Sequence, residues 1–239
     1  MEKAFDRTRL LIGSQNLLKL QNAKVIVFGI GGVGGFTAEA LVRSGVANLT
    51  LVDSDKVEES NLNRQIFATV NALGKDKVEV ARQRLLSINP NAKIQVVNTF
   101  YLPENASQID LGAYDYVIDA IDTVTAKLEL IKRAKSLNVP IISCMGTGGK
   151  LDVTKLTVTD VYKTSGCPLA KVMRKELKAL GIDKLKVVFS TESVTKDQTE
   201  EQFAEKKENG RTVPPSMIFV PATAGLMLAK EVIFDLIKE

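Results

Sequence analysis

Histidine is absent from the 239-residue sequence. That absence removes Ser-His-Asp and Cys-His triads, histidine general bases and histidine-ligated zinc or iron. Cysteine is nearly as scarce. Cys144 and Cys167 alone cannot build a four-thiolate zinc site or a disulfide framework, and such usage fits a reducing cytosol. Long apolar runs are missing too. The stretch 213–229 holds Pro214, Pro215 and Pro221 and is followed at once by Lys230 and Glu231. It falls short of the roughly 20 residues of a membrane span, so it reads as core. Residues 1–9 carry charge where a signal peptide needs an apolar centre, so a cytoplasmic location with no membrane association is expected. The chemistry must run on Lys, Arg, Asp, backbone amides or a bound metal.

What is present is a chain that is 45% apolar and 25% charged, the balance of a globular domain. Residues 24–29 form a short apolar run closed by glycine, which predicts a buried parallel strand. A helix over 33–44 follows, with Gly45 suited to end it. Strands are predicted at 48–52, 93–97, 116–120 and 140–145, and helices at 75–88 and 124–137. This alternation describes stacked βαβ units: a Rossmann-like α/β fold, mostly parallel, with helices on both faces of the sheet. After Gly149 the pattern changes. Residues 151–162 alternate apolar and polar side chains, as a half-exposed antiparallel strand does. A basic helix over 168–180, a strand at 186–189, a polar surface loop over 191–212 and a closing apolar helix over 222–237 complete the chain. The expectation is one domain: a nucleotide-binding part, 1–150, and a C-terminal antiparallel and helical elaboration, 151–239, that is not independent.

The glycine loop Gly29-Ile-Gly31-Gly32-Val-Gly34 follows a predicted strand and opens a predicted helix. Glycines there let a phosphate approach the backbone, and the helix start offers free N–H groups. Asp53, 19 residues after Gly34, is placed to accept from ribose hydroxyls. The loop alone does not say which nucleotide is bound, and an NAD-dependent dehydrogenase would use it equally. The next segment discriminates: Asp53-Ser-Asp55, then Ser60-Asn61-Leu-Asn63-Arg64-Gln65, then Gly74-Lys-Asp-Lys77. A dehydrogenase needs no fixed arginine and lysine beyond its adenosine site. An enzyme that handles a triphosphate does, to neutralise the charge that develops as pyrophosphate departs.

Together with Asp119-Ala-Ile-Asp122 after the fourth strand, these motifs resemble the ubiquitin-activating-enzyme-like superfamily, whose bacterial members are the HesA/MoeB/ThiF adenylyltransferases. The resemblance implies attack of a carboxylate on the α-phosphate of ATP. By position it puts Gly31 at the phosphate, Asp53 at the ribose, and Asn61, Arg64 and Lys77 at the triphosphate, with Gly29, Gly32, Gly34 and Asp55 completing the nucleotide site. Asp122 would hold Mg²⁺ or orient the reacting phosphate. Arg7 matches the arginine that dimers of the superfamily insert into the partner's site, which implies a homodimer.

Sulfur-carrier-activating members carry two Cys-x-x-Cys pairs for zinc, and this chain has neither. Cys144, within Ile141-Ile-Ser-Cys-Met, is expected to be a core thiol. Cys167, before Pro168, is expected nearer the surface, where neighbouring lysines would lower its pKa. The second half is similar to the tRNA threonylcarbamoyladenosine dehydratases, through 145–154, Asp160-Val-Tyr-Lys-Thr164, Pro168-Leu-Ala-Lys and Phe219-Val-Pro-Ala. It implies an ATP-dependent cyclisation on tRNA, with a monovalent cation at 146–154 an open addition. Residues 163–186 hold seven basic and two acidic side chains, while the whole chain carries only +4. This concentration of charge suits a polyanion, and Lys171, Arg174, Lys175 and Lys178 are the candidate tRNA contacts. Two other readings stay open: adenylation of a ubiquitin-like sulfur carrier, and a nucleotide-binding scaffold for a sulfur-transfer partner.

Overall fold

A computed structural model describes residues 3–193 and 214–238. Its strands are β1 (Lys24–Phe28), β2 (Asn48–Val52), β3 (Lys93–Val97), β4 (Tyr116–Asp119), β5 (Ile141–Cys144), β6 (Leu156–Asp160) and β7 (Lys186–Ser190). They form one sheet in the order β3-β2-β1-β4-β5-β7-β6. Every pairing is parallel except that of β6 with β7. The helices are α1 (Asp6–Ile12), α2 (Ser14–Asn22), α3 (Gly34–Arg43), α4 (Lys77–Ile88), α5 (Val124–Ser136), α6 (Pro168–Ala179) and α7 (Phe219–Ile237). This is the expected Rossmann-like architecture, with its antiparallel edge on the C-terminal side.

The central strand shows why the sequence reads as it does. In β1, Val25 and Val27 point into a core built with α3, α4 and α7, including Leu41, Ala81 and Leu228. Ile26 and Phe28 point into a second core with α5 and α6, including Leu130 and Met173. A strand covered on both faces must be apolar at every position rather than at alternate ones. α7 lies against α3, where the Thr37 hydroxyl donates to the Gly225 carbonyl at 3.0 Å. The crevice forms where β1 has β2 on one side and β4 on the other, because the chain reverses its direction of travel across the sheet there.

Helices α1 and α2 add to the expected elements, and two expected boundaries shift. The strand expected over 151–162 shortens to β6, because carboxylates rather than a neighbouring strand satisfy the flanking amides. Glu192 accepts from Leu151 and Asp152 N–H at 3.1 and 2.9 Å, and Asp160 accepts from Tyr162 N–H at 2.9 Å. The closing helix starts at Phe219, not residue 222, because Pro221 falls in a first turn whose N–H groups have no helical partner in any case. The surface loop expected over 191–212 lies, from residue 194 onward, outside the described residues.

Beneath the crevice sits a buried charge pair. Lys127 and Asp119 are both fully buried, with Lys127 Nζ 2.9 Å from Asp119 Oδ2, a charge contact rather than an aligned hydrogen bond. The same ammonium donates to the Ile121 carbonyl at 3.0 Å and the Cys144 carbonyl at 2.8 Å. It therefore ties the loop after β4 to the end of β5. Removing one partner of such a pair leaves a buried uncompensated charge. Lys127→Met is expected to lower the unfolding free energy by about 3–5 kcal/mol in a denaturant titration, and adding Asp119→Asn to recover much of that loss.

Candidate active site

The C-terminal ends of β1, β2, β4 and β5 border a cleft of about 340 Å³. At its centre the β1–α3 turn packs so tightly that only glycine fits. A Cβ on Gly34 would lie 1.8 Å from the Gly29 carbonyl oxygen, and one on Gly29, at φ +86°, would lie 2.6 Å from the Ala120 carbonyl oxygen. Gly34 therefore serves packing and does not face the cleft, whereas Gly29, Gly31 and Gly32 line it. α3 begins at this turn with no side-chain cap; Gly35 N–H turns back to the Gly31 carbonyl at 3.0 Å, and the rest of the helix start stays open to an anion.

Asp53 leaves the end of β2 and is fixed from two sides: Oδ2 accepts from Ile30 N–H at 2.6 Å and Oδ1 from Asp55 N–H at 2.8 Å. Burial raises its pKa above the ordinary carboxylate value, while these N–H groups and the nearby Lys77 pull it down. Lys77 opens α4 and is 6% exposed, and its Nζ meets Asp55 Oδ2 at 2.8 Å. Asn61 is buried and closes its turn by accepting from Glu58 N–H at 3.2 Å. The guanidinium of Arg64 is held by the Ser60 carbonyl at 2.7 Å and Asn63 Oδ1 at 3.0 Å. Asp122, exposed in the loop after β4, accepts from the Thr123 hydroxyl at 3.3 Å. Asp53, Asp55, Asn61, Arg64, Lys77 and Asp122 all line the same cleft, which joins fixed carboxylates to two cations beside the glycine turn.

Other expected residues lie elsewhere. Arg7 is exposed on α1 and does not line the cleft of its own chain. Lys171, Lys175 and Lys178 are exposed along α6, one or two turns apart on the same side. Arg174 departs from them: it is half-buried, and its guanidinium donates to the Thr164 carbonyl at 2.9 Å and to the Thr164 hydroxyl, so it fastens α6 to the preceding loop. Cys167 corrects the expectation of exposure. It is 3% exposed, because the N-terminus of α6 is drawn down by Ala170, Met173 and Leu177. Cys144 is the core thiol expected, with its pKa pushed up to about 12 by burial.

The sequence reading missed the opposite walls of the cleft. Thr99, Phe100 and Tyr101 follow β3, and Met145, Gly146 and Thr147 follow β5. Phe100 is half-exposed, while Asn105 pins its loop by donating to the Phe100 carbonyl at 2.8 Å. Tyr101 packs edge-on against Phe28, with ring centroids 4.9 Å apart. The adjacent aromatics at the end of a predicted strand were the available signal.

The family model for ThiF matches residues 5–238. This chain belongs to the ThiF family. Within that family it is similar to the tRNA threonylcarbamoyladenosine dehydratase of Bacillus subtilis, with 40% identity over 241 residues, 98% of this chain and 95% of the relative. The structure of Escherichia coli tRNA N6-threonylcarbamoyladenosine dehydratase in complex with ATP superposes with a TM-score of 0.87 at 34% identity, covering 98% of this chain and 94% of that one. The same protein in complex with AMP gives 0.88 at 35%, with the same coverage. The ThiF fold thus accounts for the whole described chain, including the elaboration after residue 150.

The thiols provide a direct check. In the native ThiF-family chain, iodoacetamide at pH 8 is expected to alkylate neither Cys144 nor Cys167 on the timescale that modifies free cysteine, and to modify both after denaturation. Mass spectrometry of the intact chain reads the difference.

Proposed function

We propose that this protein is an ATP-dependent dehydratase that cyclises threonylcarbamoyladenosine in tRNA through a carboxyl-adenylate. The observation that carries the reading is similarity to relatives of that name, over 98% of this chain in one and 82% in another, the second of them solved with ATP and with AMP. The cleft described above agrees with it. In this reading the glycine turn and Asp53 seat the ribose and phosphates, Asn61, Arg64 and Lys77 receive the triphosphate, and Phe100 flanks the base. Lys77 exchanges its contact with Asp55 for phosphate oxygens.

Mg²⁺ fits the donor set only in part. Among the described residues, no three His, Cys, Asp or Glu side chains converge, but Mg²⁺ is commonly held by one or two carboxylates plus substrate phosphates, and Asp122 supplies one. When bound there it would neutralise phosphate charge. The substrate's own carboxylate attacks the α-phosphorus, and the bond to the bridging oxygen breaks to release pyrophosphate. An internal nucleophile of the carbamoyl group then attacks the acyl carbon and expels AMP. The oxygen formally lost as water leaves on AMP, and the proton released from the nucleophile as the ring closes is taken by the departing AMP phosphate or water, so the step balances without an imidazole base.

Arg7 acts in the partner's cleft in this reading. Its helix α1 supports a homodimer by presenting Leu10 and Leu11 at 77% and 85% exposure. Lys171, Lys175 and Lys178 take tRNA phosphates, since the first turn of α6 reaches the cleft through Leu169. A cytoplasmic setting suits a tRNA substrate, and among the described residues no helix is long and apolar enough to cross a membrane.

Pyrophosphate release separates the readings. It is expected with tRNA carrying threonylcarbamoyladenosine, and not with tRNA lacking it or with a ubiquitin-like carrier protein; release with the carrier alone overturns the proposal. Arg64→Ala is expected to lower kcat/KM about 10²–10³-fold with its unfolding midpoint unchanged, and retained activity refutes its role.

A further inference from the structure

Asn63 is exposed and does not line the cleft, yet its amide is used in both directions. Its Oδ1 accepts from Arg64 Nη1 at 3.0 Å, and its Nδ2 donates to the Ser216 carbonyl at 2.9 Å. Arg64 and Ser216 both line the cleft. Ser216 belongs to a short stretch, 214–218, that leads into α7. That stretch also rests on the loop after β5: Gly149 N–H donates to the Pro215 carbonyl at 2.7 Å. A Cβ on Gly148 would lie 2.8 Å from Pro214 Cβ, so the Pro214 ring packs directly on the Gly148 backbone. A single amide therefore joins the arginine of the loop after β2 to a segment that leans on the loop after β5.

These two loops flank opposite sides of the crevice between β1 and β4. With Ser60 and Asn63 both accepting from Nη1, the plane of the Arg64 guanidinium is set, and its remaining N–H groups are left for a ligand. The Ser216 contact is to a backbone carbonyl, so it depends on the donor at position 63 and not on the side chain at 216. Neither partner is buried, so the link can be changed without opening the core.

We propose that Asn63 is a positioning residue that couples seating of the ATP triphosphate at Arg64 to the placement of residues 214–218 near Met145–Thr147, the side of the cleft left for the tRNA nucleoside once ATP occupies the glycine turn. The proposal rests on the adenylation reading above. Bound ATP adds contacts to the remaining N–H groups of Arg64, Asn63 carries that added restraint to Ser216, and the wall facing Met145–Thr147 is thereby further ordered for the second substrate. Asn63 itself touches neither reactant.

Asn63→Asp separates the two bonds, because a carboxylate still accepts from Arg64 but has no hydrogen to donate to Ser216. Asn63→Ala removes both. In steady-state pyrophosphate release, Asn63→Asp is expected to keep KM for ATP within about twofold and to raise KM for the modified tRNA by about five- to tenfold, the scale of one lost hydrogen bond. Asn63→Ala is expected to raise both. A second readout needs no turnover: amide exchange in the peptide covering 214–218, with and without ATP and Mg²⁺. ATP is expected to slow this exchange in the wild-type chain and not in either variant. Wild-type protection and wild-type KM for tRNA in Asn63→Asp overturn the coupling, as does an equal rise in both KM values accompanied by a lowered unfolding midpoint. A wild-type chain that binds ATP but releases no pyrophosphate overturns the adenylation reading instead, and the exchange result then judges the coupling alone.

Discussion

Lys127 is the constraint on which the cleft depends. Its ammonium has no access to water, and a charge in that position is tolerated only where it is paired and hydrogen-bonded. Asp119 provides the countercharge, and the carbonyls of Ile121 and Cys144 accept hydrogen bonds from the ammonium. Those carbonyls belong to the loop after β4 and the end of β5. The residues that follow them, Asp122 on one side and Met145–Thr147 on the other, line the cleft. One buried side chain thus sets the distance between the carboxylate proposed to act at the α-phosphate and the wall proposed to receive the second substrate.

The rest of the site is built by the same device of spending backbone groups on fixed partners. Gly34 and Gly29 bring the β1–α3 turn against the end of β4 with no room for a side chain. Asp53 is clamped by two N–H groups before any ligand arrives, which preserves an oriented acceptor despite the desolvation that raises its pKa. Lys77 is held by Asp55 and Arg64 by two oxygens. Arg64, oriented in advance, needs little reorganisation as charge develops on a departing phosphate.

The sheet and the convergence of the glycine turn, Asp53, Asn61, Arg64 and Lys77 on one cleft were legible in the sequence because their signals are local. A doubly covered strand such as β1 must be apolar throughout, and the glycine turn, Asn61–Arg64 and Lys77 occupy short contiguous motifs. What escaped depends on topology. Thr99–Tyr101 and Ser216 reach the cleft only because β3 lies beside β2 and α7 crosses α3. Cys167 sits between glycine and proline and reads as a loop residue, yet the apolar side of α6 pulls it inside. Arg174 belongs by composition to a basic stripe, but its neighbour in space is Thr164. α1 escaped because its Leu10 and Leu11 face outward and do not pack against the sheet.

In the proposed reaction this cleft activates a carboxylate already attached to tRNA. Nucleoside mass spectrometry of tRNA containing threonylcarbamoyladenosine, after incubation with the protein, ATP and Mg²⁺, tests it most directly. The expected result is conversion of that nucleoside to a product lighter by one water, with stoichiometric AMP and with none formed when ATP is omitted. An unchanged nucleoside under conditions where the protein binds ATP would contradict the account.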